Sequence, residues 1–207
     1  MRLEQELSHG LRKLALELSD TARAKLLAYV VLLDKWNRTY NLTAVRDPAD
    51  MIPRHLLDSL SILAFIDDTR VVDLGTGAGL PGIPLAVARG DLRLTLIDSN
   101  AKKIRFLRQV VHELQLTNVT LVHERAEQWR PAQGFPVLTA RAFDSIPDML
   151  ARCRHLAAPG ARFLAMKGVY PQEEIAALEG CYGRPRVEVL AVPGLDAARH
   201  LVIVTMP

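Results

Sequence analysis

The sequence predicts an α/β fold: a Rossmann-like sheet of seven strands, five parallel and finished by an antiparallel C-terminal hairpin, with an N-terminal helical cap. Three observations predict it. The runs V-V-D-L, L-T-L-I and P-V-L-T-A are nearly continuous apolar segments, as strands are when helices cover both faces of a parallel sheet. A glycine-rich turn follows the first of them, D-L-G-T-G-A-G-L-P-G. The last two runs, V-E-V-L-A-V-P and H-L-V-I-V-T, are separated only by G-L-D-A-A-R, too short for a crossover helix, so they pair as a hairpin.

The elements follow in order. Leu3, Leu7, Leu11, Leu14 and Leu18 recur at helical spacing and predict an amphipathic helix over 2–18, stopped by Ser19-Asp20. Leu26, Val30, Leu33 and Trp36 mark a second helix. T-Y-N-L-T-A-V-R-D-P-A-D reads as an extended loop, with Asp50 capping a third helix over 51–65. From residue 70, strands at 70–74, 93–98, 119–123, 136–141 and 161–166 alternate with helices at 82–89, 101–115, near 126–130, 146–156 and 171–179. Residues 1–66 form the cap and 67–207 the main domain. No Pro/Gly/Ser-rich linker parts them, so the cap is expected to pack on the sheet as part of one unit.

At 207 residues and 49% hydrophobic composition, the chain can bury one good core with a small appendage. No run approaches the roughly 20 apolar residues of a membrane span. The N-terminal stretch lacks the apolar block of a signal peptide. Cys153 and Cys181 are the only cysteines, and with no C-x-x-C and no paired histidines neither a zinc site nor a disulfide framework is legible. A soluble, reduced, cytoplasmic protein is expected. The net charge of +3 permits a nucleic-acid partner without requiring one.

The glycine turn carries the chemistry. Gly75, Gly77 and Gly79 let the backbone take positive φ, and the helix that follows offers free N–H groups. Asp98 ends the next strand about 20 residues on, where an acid grips ribose hydroxyls. Gly77–Gly82 also satisfies the dinucleotide fingerprint G-x-G-x-x-G, but three features point elsewhere. Asp73 stands two residues before the first glycine, where it would repel a pyrophosphate and attract a sulfonium or an α-ammonium. The pattern D-x-G-x-G-x-G is that of class I S-adenosylmethionine (SAM) enzymes. Pro81 removes a backbone donor where a phosphate loop wants one. The cofactor expected is therefore SAM, and the sheet that of a class I SAM-dependent methyltransferase.

In such a sheet the ligand lies across the carboxyl ends of the strands. The expected cofactor-binding set is Asp73, Gly75, Gly77, Gly79, Leu80, Asp98, Ser99, Ala126, Glu127 and Arg141. Ala126 and Glu127 border the adenine and Leu80 closes the other side. Arg141 and Lys167, ending the fourth and fifth strands, are candidates for orienting a substrate. No residue is assigned as a catalytic base, and no metal is expected. A-K-K-I-R-F-L-R-Q turns Ile104 and Leu107 inward and Lys102 and Arg105 outward, either as a solvated face or as a phosphate-contacting patch that Arg12, Lys13, Arg23 and Lys25 extend. His55 reads as a helix-face residue before a substrate one, and His123 and His200 as structural. Trp36 fits the core stripe, and Trp129 has no assignable role.

W-N-R-T-Y-N-L-T-A-V-R-D-P (36–48), R-H-L-L-D-S-L (54–60), D-L-G-T-G-A-G-L-P-G-I-P-L (73–85), L-I-D-S-N-A-K-K-I-R-F-L-R (96–108), A-R-A-F (140–143) and M-K-G (166–168) stand in order along the chain. Together they closely resemble the glucose-inhibited division protein B family of bacterial 16S rRNA guanine-N7 methyltransferases. The resemblance implies 7-methylguanosine in the decoding-centre hairpin as product, with SAM contacts at Gly75, Leu80, Ala126, Glu127 and Arg141. It also implies low-level streptomycin resistance when the modification is lost.

Guanine N7 is already a lone-pair nucleophile, so its methylation needs no general base; orientation in line with the methyl group supplies about 7–11 kcal/mol of the barrier. N7 of paired RNA lies in a groove too deep and narrow for side chains, so the guanine must be unpaired or flipped. With a charge of +3, a structured substrate such as a small-subunit particle or assembly intermediate is expected, and a monomeric enzyme. Two other readings stay open on the residues: a small-molecule methyltransferase with the N-terminal helices as its lid, and a non-catalytic SAM-binding partner of rRNA.

Overall fold

The computed structural model describes residues 2–141 and 145–207. The cap comprises α1 (Arg2–Lys13), α2 (Asp20–Tyr40), α3 (Pro48–Met51), a π-helical turn (Ile52–Leu57), α4 (Asp58–Leu60) and a 3₁₀ turn (Leu63–Phe65). The α/β body follows as β1 (Arg70–Leu74), α5 (Gly82–Ala88), β2 (Arg93–Ile97), α6 (Ala101–Glu113), β3 (Val119–Val122), β4 (Phe135–Arg141), α7 (Ile146–Cys153) with a 3₁₀ turn (Arg154–Leu156), β5 (Ala157–Lys167), α8 (Gln172–Tyr182), β6 (Arg186–Val189) and β7 (His200–Thr205). The seven strands lie in the order β3-β2-β1-β4-β5-β7-β6. The first five are parallel, whereas β7 runs antiparallel to both β5 and β6. The expected sheet, with its closing hairpin, is the one that forms.

The two-residue period of the strands sorts the core into two layers. On one face Val71, Leu94, Leu96, Leu164, Leu201 and Ile203 pack with Ile83 of α5 and with the cap residues Leu7, Leu26, Tyr29, Leu33 and Leu56. On the other face Val72, Leu74, Leu138, Phe163, Ala165 and Val202 pack under Ile146 and Leu150 of α7 and Leu178 of α8. The cap and one face of the sheet therefore share a single apolar layer. No helix among the described residues is long and apolar enough to cross a membrane.

Several boundaries depart from expectation. The first helix ends at Lys13, because Ala15 takes a left-handed φ of 54° and Leu16 N–H bonds back to Leu11 C=O in a Schellman-type stop. Leu14, Leu16 and Leu18 still pack on the core, which is why the apolar spacing runs on past the helix. The third helix begins at Pro48, capped by Asp47 rather than Asp50: the Asp47 carboxylate accepts from Ala49 N–H at 2.9 Å, and Pro48 suits the first turn. It then widens at 52–57, where Pro53 brings no N–H to the ladder and Asp58 N–H reaches Pro53 C=O. Near 126–130 there is a turn, with Gln128 and Trp129 N–H both on Arg125 C=O, and Pro131 stops it from growing. The fifth strand starts at Ala157, before the expected 161, with an irregular register opposite Phe135 and Val137.

Candidate functional site

The glycine turn is held by two carboxylates. Asp73, at the end of β1, is fully buried and accepts from Thr76 Oγ1 at 2.6 Å, Gly82 N–H at 3.0 Å and Thr139 Oγ1 at 3.2 Å. Burial pushes its carboxyl up to about 6, against these hydrogen bonds and the Arg141 charge, which favour the ionised form. The structure thus brings Asp73 beneath the loop, where its side chain is engaged by the turn itself. Asp98, just past β2, accepts from Gly77 N–H at 2.9 Å through one oxygen and from Asn100 N–H at 2.8 Å through the other. Lys103 Nζ lies 3.6 Å from the first oxygen. A carboxylate has about four acceptor sites, so Asp98 keeps capacity for hydroxyl donors.

The glycines differ in their reasons. Gly75 has a φ of 61° and open space where a Cβ would stand. At Gly82, which lacks that dihedral demand, a Cβ would fall 2.1 Å from Leu96 Cδ2 and 2.9 Å from the Asp73 carboxylate. The first permits the turn, and the second permits the helix to meet the sheet.

A cavity of about 400 Å³ opens at the carboxyl ends of β1, β2 and β3. Of the expected cofactor residues, Gly75, Asp98, Ser99, Ala126 and Glu127 line it, together with Ile97. Asp73, Gly77, Gly79, Leu80 and Arg141 are not among its lining residues. The charges facing it are Asp98, Glu124, Glu127 and Asp148 against Lys103, Arg125 and Arg152, an acidic balance that suits a cationic ligand better than a pyrophosphate. Sequence reasoning missed the wall contributed by α7, where Asp148, Met149, Arg152 and Cys153 close the far side. Cys153 is buried, its sulfur lies 3.7 Å from Met149 Sδ, and burial pushes its thiol up to about 11, so it is an apolar wall and no nucleophile.

Arg141, at the end of β4, donates through Nη1 to Asp58 Oδ2 at 2.9 Å and to Arg54 C=O at 3.0 Å. Arg199 donates from the loop before β7 to the other Asp58 oxygen, also at 2.9 Å. Neither Asp58 nor Arg199 was singled out from sequence. The signal for Asp58 was a carboxylate inside the apolar run R-H-L-L-D-S-L, whereas Arg199 carried none. Lys167 is paired with Glu174 Oε1 at 2.9 Å, and the other Glu174 oxygen accepts from Ile146 N–H at the start of α7. Part of the A-R-A-F motif, residues 142–143, lies outside the described residues.

His55 is buried and engaged on both nitrogens, with Arg54 C=O at 2.9 Å from Nδ1 and Thr43 Oγ1 at 2.9 Å from Nε2. Burial, and then the Arg141 charge, lower its pKa to about 4. Tyr29 OH donates to Ala78 C=O at 2.8 Å, tying α2 of the cap directly to the glycine turn. On α6, Ile104 and Leu107 are buried while Lys102 and Arg105 are exposed. His123 contacts Ser99 C=O, Trp36 packs on Phe106, and Trp129 packs on Phe135. Among the described residues no cluster of side chains could hold a metal ion.

Comparison with known proteins agrees with this geometry. Residues 22–202 match the GidB family model, described as rRNA small subunit methyltransferase G. The chain is 47% identical over 203 residues to Ribosomal RNA small subunit methyltransferase G of Idiomarina loihiensis, covering 98% of each chain. It is 49% identical over 199 residues to the protein of the same name from Pseudomonas fluorescens, covering 96% of this chain and 93% of that one. In fold it is similar to a SAM dependent methyltransferase from Aquifex aeolicus, with a TM-score of 0.60 at 17% identity over 87% of this chain and 98% of that one. It is also similar to 1,6-didemethyltoxoflavin-N1-methyltransferase from Burkholderia thailandensis, with a TM-score of 0.57 at 14% identity over 88% of each.

Proposed function

We propose, from the premise that the chain belongs to the GidB family of rRNA small subunit methyltransferase G, that it methylates N7 of a guanine in the decoding-centre hairpin of 16S rRNA, using SAM. The observation that carries the reading is the acid-rich cavity beside the glycine turn, with Asp98 at its edge. Its size and charge fit a nucleoside that bears a cation, and Asp98, Gly75, Ala126 and Glu127 are the residues that would hold it.

SAM, when bound, supplies an electrophilic methyl group on a sulfonium sulfur. The chain's own part is orientation. Asp98 accepts ribose hydroxyls while remaining fixed by Gly77 and Asn100. Ala126 and Glu127 stand against the base, with Met149 opposite in the cavity wall. Arg141 is pre-set by Asp58 and Arg54 C=O, and so offers its remaining donors without rearrangement. The guanine presents N7 and O6 as acceptors, and a guanidinium is the matching reader for O6. Lys167 serves less directly, through its tie to Glu174.

On this reading no proton leaves N7 before attack, and no side chain is assigned as a general base. His55 is held neutral with both nitrogens engaged, and Cys153 is buried as a thiol. The guanine is unpaired or flipped when it reacts, within a small-subunit particle or assembly intermediate, and the enzyme acts as a cytoplasmic monomer.

The test is incubation with methyl-labelled SAM and small ribosomal subunits from a strain lacking the enzyme, followed by nucleoside analysis. Labelled 7-methylguanosine at one position supports the reading. Label in another nucleoside, or none while SAM still binds, would refute it.

A further inference from the structure

We propose that Tyr170 is a stacking platform for an unpaired rRNA base beside the methylated guanine, an inference that rests on the rRNA reading above. Tyr170 lies just past the carboxyl end of β5, and among the described Phe, Tyr and Trp residues it is the one that stands exposed. It is 50% exposed, and Val169 before it is 82% exposed. A single exposed apolar side chain is ordinary on a protein surface, so exposure alone decides nothing.

What distinguishes Tyr170 is how it is held and where. The His200 ring meets it at 83°, with centroids 5.6 Å apart. One perpendicular ring covers at most one aromatic face, so His200 steadies Tyr170 without occupying both sides. His200 is itself fixed, its Nδ1 2.9 Å from Gly168 C=O. Arg199 directly precedes His200 in the chain, and its guanidinium lies 3.7 Å from where a Cβ on Gly168 would stand. From Arg199 the contacts pass through Asp58 to Arg141. The aromatic ring is thus linked, through His200 and the adjoining Arg199, to Asp58 and the arginine assigned to the substrate. A half-exposed, steadied aromatic ring is how proteins hold single-stranded bases without reading their sequence.

The experiment compares wild type with Tyr170→Ala, Tyr170→Phe and Tyr170→Trp in steady-state methylation of small ribosomal subunits that lack the modification. For Tyr170→Ala the KM for subunits is expected to rise about tenfold, equivalent to about 1.4 kcal/mol, with kcat within about twofold. SAM affinity, read by calorimetry, stays unchanged, and the Phe and Trp variants retain the wild-type KM. An unchanged KM for Tyr170→Ala, with labelled subunits, overturns the platform and leaves the rRNA reading intact. A Phe variant as impaired as the Ala variant also overturns it, since the hydroxyl rather than the ring face would then matter. Wild-type enzyme that labels no subunit overturns both.

Discussion

Arg141 and Arg199 grip opposite oxygens of the Asp58 carboxylate, each at 2.9 Å, so one acid of the cap fixes two cations of the sheet's carboxyl edge. Removing either arginine leaves Asp58 a partner, whereas removing Asp58 leaves two neighbouring guanidiniums without their shared acid. Breaking a fully buried pair costs about 3–5 kcal/mol. Both arginines retain some exposure, so Asp58→Ala is expected to lose about 2–3 kcal/mol, and Arg199→Ala less. Urea unfolding of the single and double variants checks the order.

Asp98 joins the turn to the cavity. Asp98→Asn can accept only one of the two backbone donors and leaves the other facing an amide N–H. SAM affinity is expected to fall by at least about tenfold, or about 1.4 kcal/mol, and calorimetric titration reads it. Wild-type affinity in that variant would remove Asp98 from the binding set.

Two glycines of one motif should fail differently. Gly75→Ala meets open space and is strained only by its φ of 61°, which costs about 1–2 kcal/mol. Gly82→Ala drives a methyl group into Leu96 and the Asp73 carboxylate, and should destabilise the fold more than Gly75→Ala does. Thermal unfolding of both variants gives the comparison.

His55 and Asp73 oppose each other as pH falls. The His55 pKa is lowered in the fold to about 4 from 6.5, so its contribution is present above 6.5 and lost as pH drops through about 4. The Asp73 pKa is raised to about 6 from 3.8, so its contribution is present below 3.8 and lost as pH rises through about 6. Net acid sensitivity in this window is therefore blunted. His55→Gln is expected to remove the His55 part, so that between pH 6.5 and 4 the variant loses less stability than wild type. Parallel unfolding curves across that range would contradict the assignment.

The sheet and the glycine turn were legible because their signals are local. Strand runs, D-x-G-x-G-x-G and the short C-terminal connection each sit within a few residues of chain. Asp58 with Arg199 was not legible, since the pair joins positions 141 residues apart and nothing near Arg199 announces it. The α7 wall was missed for a related reason: Asp148, Met149 and Arg152 read as one face of an ordinary helix, and only the packing of that helix turns them toward the cavity. Placing the cap of the third helix meant choosing between two nearby acids, and Pro48, suited to a first helical turn, decides for Asp47 over Asp50.

The bond from Tyr29 to Ala78 has a consequence for inheritance. With Asp58 on Arg141 and Arg199, and Arg162 on the Phe65 carbonyl, it makes the first 66 residues and the remainder mutual dependants. A chimaera that exchanged the cap for that of a distant methyltransferase would inherit arginines without their acid and a turn without its tyrosine. Exchange of the cap as a cassette is therefore expected to cost stability unless the acid and the tyrosine travel with it.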